Sequence, residues 1–189
     1  MTWTEVEMKL TTLPRRRATA VGVRAVERAL RRIAVVADDY GPEVWEWVRA
    51  MQAALEAVQR YAADKAVSRF TLDLAAEICR GTANSAAATA QLVGPSRGHE
   101  VLESVIASAA FTADAARTRK GERVPGLLTN AMKNAHLGGE ASIESVADLT
   151  AEGDFGPLWP HGEMEWYRSG TERYHKAGLS AWSLPGSAD

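Results

Sequence analysis

A chain of 189 residues with 22 Lys and Arg against 24 Asp and Glu, a net charge of −2 and one cysteine is long enough for a single domain. Such a domain buries roughly 70% of its unfolded surface and needs no disulfide or metal staple. The lone Cys79 excludes an intramolecular disulfide and fits a reducing, cytoplasmic setting. No run of about 18 apolar residues occurs, and the first 14 residues lack the apolar centre of a secretion signal, so no membrane partner is expected.

In chain order, Thr4, Val6, Met8 and Leu10 alternate with Glu5, Glu7 and Lys9, which predicts a short N-terminal β-strand. Thr4 and Glu7 have the spacing of a helix capping box and support the competing helix. Thr11, Thr12 and Pro14 favour extended chain. A lone strand would need a partner that the rest of the sequence scarcely offers.

Residues 15–32 hold seven arginines and one glutamate. At helical spacing Arg17, Arg24, Arg28, Arg31 and Arg32 fall within about 100° of one another, and Val26, Ala29, Leu30, Ile33 and Ala37 fill the opposite arc. The pattern predicts a helix with a basic face and a core face. Outside this stretch the chain has 15 basic and 23 acidic residues, so a basic helix sits in an acidic protein. Such arginines are ordinarily solvated or paired with neighbouring carboxylates; the functional reading is an anionic or protein partner contacted by these five.

Asp38-Asp39-Tyr40-Gly41-Pro42 reads as a turn that starts the next helix, with Asp38, Asp39 and Glu43 suited to its N-terminal dipole. That helix covers 43–64, with Val44, Trp47, Val48, Met51, Leu55, Val58 and Ala62 as its core stripe. Trp45 falls off the stripe, either covered by another element or presented to a partner. Residues 70–93 form a helix expected to break near Gly81. A helix at 98–119 places Val101, Leu102, Val105, Ile106, Ala109, Ala113 and Ala116 in the core, and its basic end at Arg117, Arg119 and Lys120 suits the dipole. Shorter helices follow at 125–137 and 142–151, separated by Gly138-Gly139.

From Asp154 the texture becomes aromatic, with Phe155, Trp159, Trp166, Tyr167, Tyr174 and Trp182. Trp159 and Trp166 serve either a clamp on the bundle or recognition of a partner. The chain thus divides into a helical bundle over 1–153 and an aromatic segment over 154–189 packed on the same domain.

Motifs that would carry chemistry are incomplete. Glu172 and His175 have the spacing of a half-site in a di-metal bundle, but no second copy exists and His99, His136 and His161 are dispersed. No metal or cofactor is therefore expected. Cys79 lies among Leu74, Ala75 and Ile78, where a thiol packs as a small hydrophobe. No nucleophile elbow, phosphate loop or dinucleotide fingerprint is present, and Asp154-Phe155-Gly156 matches a kinase signature by letters alone.

These observations predict an all-α bundle of six or seven helices, with one short N-terminal strand as an open element and an aromatic-rich C-terminal segment. The function they favour is a non-enzymatic protein-interaction module, an adaptor or immunity-type inhibitor. The abundance of alanine, and of arginine over lysine, suggests a bacterial source with GC-rich coding. One alternative is a regulator that binds a polyanion or nucleic acid through the arginine-rich helix 15–38; the other is a metal-dependent helical-bundle enzyme.

Overall fold

The computed structural model describes residues 2–36, 43–93 and 97–139. They form an all-α bundle of six helices, α1 (Trp3–Thr12), α2 (Arg15–Val36), α3 (Glu43–Ala62), α4 (Arg69–Val93), α5 (Arg97–Arg117) and α6 (Val124–Gly139), with a 3-10 turn at Gly121–Arg123 before α6. The expected helix at 142–151 and the aromatic segment with Trp159 and Trp166 lie outside the described residues.

The N-terminal stretch is a helix and not a strand. Thr2 is the N-cap: its hydroxyl accepts from the Glu5 backbone N–H at 3.3 Å, and the Glu5 carboxylate accepts from the Thr2 backbone N–H. The Thr2 backbone N–H, and then its hydroxyl, hold the Glu5 carboxyl below its ordinary range. Val6 and Leu10 are the buried residues of α1, with Trp3 and Leu13 packed against the same core. Those four follow a helical period, whereas the alternating reading required Met8 inside, and Met8 is 58% exposed. The helix ends where Leu13 turns extended ahead of Pro14, because proline disfavours the helical conformation in the residue before it.

α5 packs on α2, α3, α4 and α6, α2 packs on α3, α5 and α6, and α1 lies on α6. Every residue from Ala18 to Glu27 is buried. This corrects the expectation at Arg24, which is only 2% exposed and so is not available as a surface contact. Small residues at Ala18, Ala20, Gly22 and Ala25 let neighbouring helices approach closely, and a helix surrounded on several sides has little solvent face for its polar arc. Arg17 remains exposed. The side chains of Arg28, Arg31 and Arg32 lie outside the described residues.

On α3 the expected stripe is buried at Val44, Val48, Met51, Leu55, Val58 and Ala62. Trp47 is only half-buried, as is Trp45, and both pack against the core. The two tryptophans are therefore not divided into one inside and one outside. On α5 the whole expected stripe is buried; α6 packs on α5, and its Val124, Leu128, Ala131, Met132 and Ala135 are buried. The Ser108 hydroxyl donates to the Ala131 carbonyl at 2.7 Å and ties the two helices together.

α4 runs through Gly81 without the expected break. A Cβ added there would meet nothing within 4 Å, so Gly81 carries the entropic cost of glycine with no packing return. Gly81→Ala is expected to stabilise the protein by about 0.5–1 kcal/mol. A urea midpoint that fails to rise would contradict this assignment.

Candidate anion-binding crevice

Helix C-termini leave carbonyls without intrahelical donors, and here guanidinium groups supply them. Arg15 Nη2 donates to the carbonyls of Ala115 at 3.2 Å, Ala116 at 3.1 Å, and Thr118. Arg69 Nη2 donates to the Arg117 carbonyl. At the end of α3, Arg16 Nη1 donates to Tyr61 at 2.9 Å and Lys65 at 3.1 Å, and its guanidinium lies 4.4 Å from the Tyr61 ring centroid. The first arginines of the basic stretch are thus engaged in holding helix ends.

Around the end of α5, a crevice of about 390 Å³ is lined by six cations, Arg69, Arg80, Arg117, Arg119, Lys120 and Arg123, against two carboxylates, Asp73 and Asp114. Arg69, Asp73 and Arg80 share one face of α4, because intervals of four and seven residues return to nearly the same side of a helix. Asp114 and Arg117 come from the last turn of α5, and the following loop and 3-10 turn bring in the other three cations.

Two of the arginines sit in a closed network. Asp114 accepts from Arg80 Nη2 at 3.1 Å and from Arg117 Nε at 2.8 Å, and Glu77 accepts from Arg80 Nη1 at 2.9 Å and Arg117 Nη1 at 3.0 Å. Charges alternate around this ring and cancel. Arg69 faces Asp73 at 3.7 Å. Arg119, Lys120 and Arg123 are exposed and make no ion pair among the described residues. Lys120 and Arg123 also precede the N-terminus of α6, where the helix dipole is positive and a cation is disfavoured. Only Glu122 offsets them locally. Three unmatched cations beside a positive helix end create a field that favours an oxyanion.

No acid–base pair or nucleophile accompanies them among the described side chains. His136 packs edge-on against Trp3, with ring centroids 5.8 Å apart, thirteen residues along α6 from Arg123. Cys79 is fully buried; burial, and then the charge of Asp114, push its thiol up to about 12. It therefore stays protonated at neutral pH. No group of three potential metal ligands occurs among the described residues, and Glu172 and His175 lie outside them.

In the sequence Arg117, Arg119 and Lys120 suit the dipole of α5, and nothing local marks Arg69 or Arg80 as their partners in a crevice. Four cations within residues 117–123 are a local signal for four of the six that line the crevice. The two contributed by α4 have no such signal. No family model, curated protein or solved structure matches the chain.

Proposed function

We propose that the chain is a non-catalytic interaction module, of the adaptor or inhibitor kind, whose basic crevice receives an acidic segment of a protein partner. The observation that carries this reading is the set of unmatched cations, Arg119, Lys120 and Arg123, beside the rigid Arg80–Asp114–Arg117–Glu77 ring. Arg119 and Arg123 each offer a planar guanidinium that can take a carboxylate through two parallel hydrogen bonds.

Two features favour a peptide over a nucleic acid. The cations converge in one compact crevice and do not run along a face as a phosphate-tracking stripe would. On the adjoining face of α4, about 100° around the helix from Arg69 and Asp73, Phe70 is 76% exposed and Leu74 48% exposed, an apolar surface that suits an acidic peptide with a hydrophobic side chain. The α2 arginines contribute less to this reading, because Arg15 and Arg16 hold helix ends and Arg24 is buried. No described helix is long and apolar enough to cross a membrane.

The test is fluorescence anisotropy with a labelled glutamate-rich peptide of about a dozen residues containing one leucine, at about 50 mM salt, where screening leaves surface charge effective. Binding is expected, and the triple substitution Arg119→Gln, Lys120→Gln and Arg123→Gln should weaken it by about tenfold or more without changing the circular dichroism spectrum. Equal affinity in the triple variant would remove the crevice from the account. Tighter binding of duplex DNA of matched charge would move the reading to a nucleic-acid regulator.

A further inference from the structure

The net charge of −2 is the sum of two opposed parts. Residues 1–139 hold 19 Lys and Arg against 15 Asp and Glu, a balance of +4, whereas residues 140–189 hold 3 against 9, a balance of −6. The acidic residues are concentrated further: from Glu140 to Tyr167 there are seven carboxylates and not one Lys or Arg. Aromatic residues are interleaved with them at Phe155, Trp159 and Trp166.

We infer that this acidic, aromatic stretch of the same chain occupies the basic crevice, so that a partner must displace it. The inference rests on the crevice being an anion site. Two complementarities support it: the carboxylates match the surplus of Arg119, Lys120 and Arg123, and the aromatics match Phe70 and Leu74, exposed on the adjoining face of α4. Chain length permits it as well. The crevice lies at the start of α6 and the stretch begins at its end, 16 residues later, roughly 24 Å away at 1.5 Å per residue. About eight extended residues span that distance, so the carboxylates from Asp148 onward lie within reach. Tethering gives such a segment an effective concentration on the order of millimolar, enough to exclude a weak free peptide.

Two experiments on the full chain test this. In the first, Asp148→Asn, Glu152→Gln, Asp154→Asn, Glu163→Gln and Glu165→Gln are combined and affinity for the labelled glutamate-rich peptide is measured. An increase of about tenfold is expected at low salt, and it should vanish when Arg119, Lys120 and Arg123 are also replaced by glutamine. Unchanged affinity, with binding still lost in the crevice variant, would overturn the intramolecular occupant and leave the anion site standing. Absence of peptide binding in the neutralised variant would remove both.

The second experiment uses the unmodified chain and so does not depend on how the five substitutions fold. Carbodiimide coupling should join Lys120 Nζ to a carboxylate between Asp148 and Glu165, read by mass spectrometry of an equal mixture of isotope-labelled and unlabelled protein. Cross-links within one copy support the proposal. Cross-links only between copies, or none from Lys120 to this stretch, overturn it.

Discussion

Replacement of Glu27 by leucine is expected to destabilise the fold by about 3–5 kcal/mol. Glu27 is 1% exposed and Arg24 2% exposed, one turn apart on α2. A buried charge persists only where opposite charge and hydrogen bonds compensate it. Leucine keeps most of the volume of Glu27 but removes its carboxylate, so the groups that compensate that charge in the core lose their partner. Glu27→Gln keeps the shape and part of the hydrogen-bonding capacity of the side chain and should lose less than Glu27→Leu. Urea denaturation of the two variants measures both losses. A loss below about 1 kcal/mol for Glu27→Leu would show that the carboxylate is not held by compensating groups in the fold.

Gly22→Val is expected to cost about 3 kcal/mol, although replacing glycine inside a helix ordinarily gains up to about 1 kcal/mol. A Cβ at Gly22 would sit 2.7 Å from Leu128 Cδ2 and 3.0 Å from Thr112 Oγ1. Neither neighbour can withdraw easily. Both are fully buried, and the Thr112 hydroxyl donates to the Ser108 carbonyl at 2.9 Å, while Ser108 in turn holds Ala131 on α6. α2 must therefore move away from α5 and α6, at the expense of the core they share. Leu128→Ala makes room on one side, so the pair Gly22→Val with Leu128→Ala should lose less than the sum of the single losses. A valine variant as stable as the parent would mean that the helices are not held at this distance.

The stripes of α3 and α5 were legible because an apolar period of 3.6 is a local property of the chain, and burial at one contiguous arc follows from it. α1 was misread because Val6 and Leu10 satisfy both a period of 2 and a helical period. The deciding evidence was Trp3 and Leu13 at the flanks, with the capping box at Thr2 and Glu5, two residues before the one considered. Gly81 was taken for a breaker on intrinsic propensity, a cost of about 1 kcal/mol that a helix of 25 residues packed on α3 and α5 absorbs.

Tertiary structure decided the rest. Whether a polar arc faces water depends on how many neighbours surround its helix, and residues 15–32 contain no record that α3, α5 and α6 all pack there; Arg24 and Glu27 are inside for that reason. The crevice likewise joins Arg69 and Arg80 to a loop that begins at Thr118. By itself the sequence determined the helices after residue 14 among the described residues and most of the core stripes of α3 and α5, because those follow from spacing along one helix. Which arginines hold helix ends, which lie buried and which stay unmatched at the start of α6 was settled only by packing, because charge pairing depends on distance in space and not on separation along the chain.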